Sequence, residues 1–464
     1  MTYTKFHGIT FVLHIRCETK RRYHEKKTYE ILERLRVLIM SEGFKNSCRS
    51  STRDFTRCCL LTFPMLILFI LNLVRRSLQS ELNKFIKIVS LSYISKQAFS
   101  AARKKLLPIA FIKLNNELIN EFYSDNKFKT FYGFRVIVVD SSTLQLPESV
   151  AIRKKYGACS NQKQDNMTMS RISYAYDPLS EVTLDAIMSP YAIPERSMAF
   201  DHILNIQASN CAEDLYIFDR GYPAMTLMHF LNYNKKYFLM RCSESSWLPE
   251  ITKLVKNRKK DEIIEINLKS LQSQQRTRFI NRFPGLPIDS IIKIRIIIIK
   301  LPNGDREVLV TNLLDKNEYK YEMFRELYHL RWGAEENYKF HKVRIEIENF
   351  SGETTHAVEQ DFHATVFAAN IRALLAEEAQ EELYESQPKK QSKHDYKINK
   401  NISAAILKDE VIRILMDPEG DLGAFCERLK NDMKKSVVPI RPGRHYMRIR
   451  KNKRKYPMNR RRAF

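Results

Sequence analysis

Residues 135–143 read RVIVVDSST and residues 215–222 read LYIFDRGY. Each carries a short run of β-branched or aromatic side chains that ends on an aspartate, Asp140 in the first and Asp219 in the second. An unbroken apolar run of this length reads as a strand buried on both faces, which places it in an α/β sheet covered by helices. A carboxylate that emerges where such a strand ends stands at the sheet rim and can face a ligand. One such aspartate is most often a helix cap or a hydrogen-bonding group. Two of them raise the ligand-facing reading to equal standing.

Outward from these strands, the pattern divides the chain into five regions. Residues 1–130 read mainly as helix, with apolar residues at three-to-four spacing over Tyr29–Met40 and Leu78–Phe85. Ser95–Leu106 reads as a helix with Arg103, Lys104 and Lys105 on its outside. The most apolar stretch, Cys58–Val74, is shorter than the ~20 residues a membrane span needs. Thr62, Pro64 and Asn72 interrupt it, so it predicts a buried helix beginning near Pro64. Residues 131–240 read as strands alternating with helix, with a hairpin over Arg171–Tyr176 and Val182–Met188, a helix from Pro194 and a strand at Lys236–Met240. Residues 241–315 read as a separate β-rich unit, with Ile291–Lys300 joined to Glu307–Leu313 across Pro302-Asn303-Gly304-Asp305. Residues 316–386 return to helix and close the core. Residues 387–464 are a polar linker, short helices at Ile402–Met416 and Leu422–Met433, and a basic tail.

The 464 residues carry a net charge of +25, with 44% hydrophobic and 11% aromatic side chains. That composition excludes a mostly disordered chain and points to a polyanionic partner, nucleic acid ahead of an anionic membrane. From Lys434 onward there are thirteen basic residues and no acidic one. Tyr446, Tyr456 and Pro457 lie among them, as in an arm that tracks a nucleic-acid backbone. The eight cysteines form no CxxC and no zinc-ligand spacing with histidine, which fits structural thiols in a reducing cytosol.

The most specific stretch is Tyr328-His-Leu-Arg331-Trp-Gly-Ala-Glu335-Glu-Asn-Tyr-Lys339-Phe-His-Lys342. At ~100° per residue, Tyr328, Arg331, Glu335, Lys339 and Lys342 fall within an arc of roughly 80° on one helix face. A salt-bridged surface face would need only Glu–Lys pairs. Five polar groups beside Leu327, Leu330 and Ala334 ask for more than solvation. Three carboxylates (Asp140, Asp219, Glu335) can hold two Mg2+ ions ~3.5–4 Å apart for phosphodiester chemistry. Arg331, Lys339 and Lys342 would align the anionic backbone beside them.

The Tyr-x2-Arg-x3-Glu-x6-Lys signature, filled by Tyr328, Arg331, Glu335 and Lys342, resembles that of the DDE transposases of the bacterial insertion-sequence-four family. Asp140, Asp219-Arg220-Gly221-Tyr222, Arg196 and Val308–Leu313 (VLVTNL) extend the resemblance, which runs from about Asp54 to the C-terminus. Asp140 and Asp219 stand 79 positions apart and Asp219 and Glu335 stand 116 apart, leaving room for an insertion before the third acid. The resemblance implies an RNase H-like α/β core with a mixed β-sheet, a β-rich insertion between the second and third acids, a helical N-terminal domain and a basic helical C-terminal region. It implies Asp140, Asp219 and Glu335 as catalytic metal ligands for two Mg2+ ions, with Mn2+ as a substitute. Tyr328, Arg331 and Lys342, with Lys339 and Arg220, are the implied DNA contacts. The implied partners are double-stranded DNA, as transposon terminal inverted repeats and target, and a second copy of the chain in a synaptic homodimer. The implied setting is the bacterial cytoplasm, with no membrane. Relatives hold a flipped base against an aromatic residue of the insertion; Trp247 suits that role or the core, and Trp332 is expected in the core. Two alternatives remain open: a nuclease or resolvase without strand transfer, and a non-catalytic DNA-binding descendant, which predicts the loss of an acid. An anionic-membrane binder ranks last, because the apolar stretch has no basic amphipathic face.

Overall fold

The computed structural model describes residues 28–441, apart from positions 58, 73, 126, 162–163, 210–211, 246–247, 258, 268, 270, 288–290, 302–303, 387–393, 409 and 417–419. The expected arm beyond residue 441 and the residue Trp247 lie outside the described residues. The described residues begin with helices: α1 (Thr28–Met40), α2 (Glu42–Cys48), α3 (Phe63–Leu71), α4 (Leu78–Val89), α5 (Lys96–Arg103) and α6 (Ile109–Phe122). The apolar segment becomes α3 because Thr62 caps it through the Met65 amide and Pro64 fits its first turn. Its side chains from Leu66 to Leu71 are buried in the core. Among the described residues no helix is long and apolar enough to cross a membrane.

The expected outer basic face of α5 is corrected at one position. Arg103 is buried, where it donates to Gln360, Ser351 and Asp361, the last at 2.7 Å. Burial of a guanidinium is tolerable only with its donors matched in this way. Lys104 and Lys105 stay exposed.

The sheet begins with β1 (Arg135–Gln145), then α7 (Val150–Tyr156), β2 (Ala158–Asn161), β3 (Gln164–Asp177) and β4 (Val182–Pro190). Next come α8 (Glu195–Asn205), β5 (Asp214–Phe218), α9 (Met225–Tyr233) and β6 (Tyr237–Cys242). β1 runs antiparallel to β3, and β3 antiparallel to β4; on its other side β1 runs parallel to β5, and β5 parallel to β6. Val136, Val138, Leu215, Ile217 and Leu239 enter one core, and Ile137, Val139, Tyr216, Phe218 and Met240 enter the other. Alternate residues of a strand point to opposite faces, so two covered faces demand an unbroken apolar run.

The segment that follows holds α10 (Pro249–Lys256), β7 (Asp261–Asn267), α11 (Ser273–Arg282), β8 (Ile291–Lys300) and β9 (Arg306–Thr311). Its strands do not make a sheet of their own, as "separate unit" would require. β9 pairs antiparallel with β6, and β8 and β7 follow, giving the order β2-β3-β1-β5-β6-β9-β8-β7 with β4 on β3. The reason lies in the isoleucines of β8: Ile294 and Ile296 enter one core and Ile297 and Ile299 the other. A strand apolar on both faces needs cover on both, which the extended central sheet provides.

The chain closes with α12 (Met323–His329), α13 (Trp332–Lys339), a π-helical turn (Phe340–Arg344) and α14 (Thr355–Ser386). After these come β10 (Tyr396–Ile398), α15 (Lys400–Leu407), α16 (Glu410–Met416), α17 (Leu422–Lys434) and β11 (Val437–Pro439), with β10 and β11 paired antiparallel. The 32-residue α14 packs against α3, α6, α17 and β4 and so ties the N-terminal helices, the sheet and the C-terminal helices together.

Candidate active site

In the parallel ladder between β1 and β5, Val139 stands opposite Phe218. Asp140 and Asp219 are the next residues of each strand, so the register sets the two carboxylates side by side. β5 ends there, while β1 continues against β3 as far as Gln145. The pair therefore lies where β1 loses its parallel neighbour, a crevice beyond a carboxyl strand end.

Asp140 is fixed from several sides. Its carboxylate accepts the Ser141 amide at 2.8 Å, and its carbonyl accepts Tyr338 Oη at 2.6 Å and Ser173 Oγ at 3.1 Å. Burial pushes its pKa up to about 7, with Asp219 and Glu335 adding to the rise; the Ser141 amide and Arg331 oppose it. Asp219 opens a tight turn closed by the Tyr222 amide at 3.1 Å, and Arg196 Nε braces that turn by donating to the Gly221 carbonyl at 3.0 Å. Tyr222 is buried and Arg220 is exposed.

The third acid comes from a helix in segments. Between α12 and α13 the backbone tightens, with the Leu330, Arg331, Gly333 and Ala334 amides each bonding three residues back. Such a 3₁₀ joint inside a helix commonly marks a hinge. Glu335 follows in the first turn of α13. Gly333 allows α13 to sit on the β3–β4 turn, since a Cβ there would lie 2.7 Å from Pro178 Cβ.

Arg331 links the acids. Its Nη2 lies 2.9 Å from Glu335 Oε1 and its Nε 3.8 Å from Asp219 Oδ1. The guanidinium also lies over the rings of Tyr328 and Trp332, at 5.8 and 5.6 Å. Burial works against its charge, and Tyr328, Asp219 and Glu335 outweigh that, so its pKa rises above the ordinary value. Tyr328 Oη donates to Asp219 Oδ1 at 3.0 Å, and burial together with Asp219 holds its proton well above the ordinary phenol range.

Of the residues singled out in the sequence, the structure brings together Asp140, Asp219, Glu335, Tyr328 and Arg331. Lys342 is in the π-helical turn and reaches β1 beyond Asp140, donating to Ser142 Oγ at 2.7 Å and the Thr143 carbonyl at 2.6 Å. Lys339 is exposed and pairs with Glu336 at 3.5 Å, apart from the acids. Trp332, expected in the core, is 47% exposed. At ~100° per residue Trp332 lies roughly 140° from Leu327 and roughly 160° from Leu330, on the helix side away from these buried leucines.

Sequence reasoning missed the supports beneath Asp140. Tyr338 stacks on Tyr174 with ring centroids 4.8 Å apart, and its hydroxyl also accepts the Tyr174 amide. Ser173 lies 2.9 Å from His202 Nε2, and His202 Nδ1 lies 2.7 Å from Asp185. Tyr338 is legible as a helical neighbour of Glu335, three residues on; nothing in the sequence marks Ser173 or His202.

The donor set suits a hard divalent cation, being carboxylate oxygens gathered at a rim where Asp140 already suffers from nearby negative charge. Among the described residues, though, no three His, Cys, Asp or Glu side chains stand together closely enough to hold a metal ion. The Arg331 guanidinium occupies the approach between Asp219 and Glu335.

No curated protein sequence matches the chain. Among solved structures it is similar to a cryo-EM structure of the piggyBac transposase synaptic complex with hairpin DNA, at 9% identity and a TM-score of 0.43, over 89% of this chain and 85% of that one. The Transposase DDE domain family matches residues 132–371. That span is more than half of the chain and contains Asp140, Asp219 and Glu335, and the chain belongs to this family.

Proposed function

We propose that this transposase cleaves transposon ends by phosphodiester hydrolysis and joins the freed 3′-OH ends to target DNA, in the cut-and-paste manner of the insertion-sequence-four relatives. The observation that carries the reading is the meeting of Asp140, within β1, and Asp219, just past the end of the neighbouring β5, with Arg331 and Glu335 from the facing helix. The strand order β4-β3-β1-β5-β6, antiparallel and then parallel, supports an RNase H-like core. In cleavage, a water oxygen bonds to phosphorus as the bond from phosphorus to the 3′ oxygen breaks and that oxygen takes a proton. In joining, the 3′ oxygen attacks a target phosphodiester and displaces its 3′ oxygen.

Asp140, Asp219 and Glu335 would hold Mg2+ (or Mn2+), which when bound supplies charge for the attacking and leaving oxygens. Tyr338 and Ser173 hold the Asp140 backbone in place. Arg331, Tyr328, Lys342 and Arg220 orient the phosphate backbone, with Lys339 furthest from the chemistry. The N-terminal helices and the basic C-terminal region add sequence-independent affinity for double-stranded DNA, and two copies of the chain bring two ends together in the cytoplasm of a bacterium.

The test is Mg2+-dependent nicking of a duplex carrying the inverted repeats that flank the gene. Wild type is expected to nick, and Glu335→Gln to lose at least about a thousandfold in rate, or roughly 4 kcal/mol of transition-state stabilisation. Equal nicking by both proteins sinks the catalytic assignment. Nicking without joining to target DNA favours the nuclease alternative.

A further inference from the structure

We infer that Arg331 is the resting counter-ion of Asp219 and Glu335: it holds the place between them that a divalent cation takes on loading, and that cation releases it toward the DNA backbone. The inference rests on the reading of the three acids as a metal-binding set.

The geometry that suggests it is an incomplete clamp. Arg331 Nη2 is within hydrogen-bonding distance of Glu335, whereas Nε, at 3.8 Å, is too far from Asp219 for a hydrogen bond. The side chain is only 7% exposed, and its Nε has no hydrogen-bond partner. A guanidinium does not lose its proton in a protein, so this positive charge is permanent. Arg331 and a metal ion therefore compete for the same two carboxylates. The guanidinium stands 2.9 Å from Glu335 and 3.8 Å from Asp219, in the space where a cation bridging the two would sit.

A route for release is also visible. The guanidinium already rests over the Tyr328 and Trp332 rings, and aromatic faces hold a cation while it changes partners. Trp332 is half exposed, so movement across its ring leads toward solvent. Arg331 itself sits in the tight joint between α12 and α13, the part of the helix best suited to a small rotation. An arginine freed there keeps a fork of donors suited to phosphate oxygens. One residue would then serve the empty site as a counter-ion and the loaded site as a phosphate ligand.

The test is calorimetric titration of the full chain with Mg2+, without DNA and at low salt. Removing a competing cation about 4 Å from the carboxylates should tighten Mg2+ binding to Arg331→Gln by about tenfold or more. Arg331→Lys, which keeps the charge, should stay closer to wild type. A purely structural role, or one confined to gripping DNA, predicts unchanged or weaker Mg2+ binding by Arg331→Gln, and either result overturns the inference. A second readout needs no change at position 331. In a Trp247→Phe background, Trp332 is the remaining tryptophan, and Mg2+ should alter its emission as the guanidinium leaves its ring. Mg2+ binding with unchanged Trp332 emission also overturns the inference. Absence of Mg2+ binding in wild type and variants alike defeats the metal-binding reading itself and takes the inference with it.

Discussion

Asp140 and Asp219 are carried by a sheet, whereas Glu335 is carried by a helix broken into pieces. The sheet side is set by backbone ladders: Asp140 lies on β1 within its pairing to β3, which runs from Val138 to Gln145, and one residue past its last pairing with β5. The helix side has a 3₁₀ joint before Glu335 and a π-helical turn after it, and it meets the sheet through side chains: the Tyr338 hydroxyl on the Asp140 carbonyl, Tyr338 stacked on Tyr174, and the close approach at Gly333, with an ion pair from Arg331 to Glu335. The strand-end pair is thus built when the sheet is built. The third acid has a position that side-chain interactions choose, which suits the proposed admission of a cation and a bulky polyanion.

The largest expected effect tests whether the sheet holds Asp140 against its own charge. In the folded chain Asp140 keeps its proton up to about pH 7, against an ordinary value of 3.8. Between these values the native state binds more protons than the unfolded state, so its stability falls as pH rises and the full loss is reached above about 7. Asp140→Asn removes the penalty, and should stabilise the metal-free protein by up to about 4 kcal/mol at pH 8 and by little at pH 4. Urea unfolding in the presence of a chelator at the two pH values measures it. An equal effect at both would mean that Asp140 is not under charge strain and that the strand end is more open to water than the structure places it.

A smaller effect is expected where the helix touches the sheet. In Gly333→Ala the new Cβ would meet Pro178 Cβ at 2.7 Å, and neither the ring nor the β3–β4 turn can yield cheaply. Overpacking of this kind costs about 1–3 kcal/mol, and the better helix propensity of alanine returns about 1 of it. Net stability should fall by up to about 2 kcal/mol in urea unfolding. Nicking should fall by more than that loss of stability implies, because α13 is pushed away together with Glu335. A variant with full activity would show that the helix position is less critical than the strand positions.

This division also explains what the sequence could reveal. The apolar runs ending at Asp140 and Asp219 were legible because burial on both faces leaves no room for polar residues. The helix around Glu335 was legible as a pattern, but a uniform ~100° per residue cannot anticipate a tight joint and a π turn within fifteen residues. Hence Lys339 and Lys342, set on one face by the uniform rotation, part company across the π turn. Arg103 misled for a different reason: three basic residues in a row look alike until the buried Asp361 selects one of them from a helix more than 250 residues away. The extension of the sheet by β9, β8 and β7 was hidden because strand runs report burial and not which neighbour supplies it.

The smallest expected effect is that of Lys339→Ala, and it gains its meaning from the contrast with Lys342, the other lysine that follows Glu335. Lys339 is exposed, and its pair with Glu336 lies between solvated side chains. Lys339→Ala should change stability by less than about 0.5 kcal/mol. Lys342 is half buried and bonds across to β1 through Ser142 and Thr143, so Lys342→Ala should cost about 1–3 kcal/mol. The salt dependence of DNA binding sharpens the contrast, because losing one phosphate contact lowers the slope of log affinity against log salt by about 0.9. Lys342→Ala should lower the slope by that amount and Lys339→Ala should leave it unchanged. If the two variants behave alike in both measurements, the π turn does not distinguish the residues on its two sides, and the helix arm is a more uniform surface than its segmentation suggests.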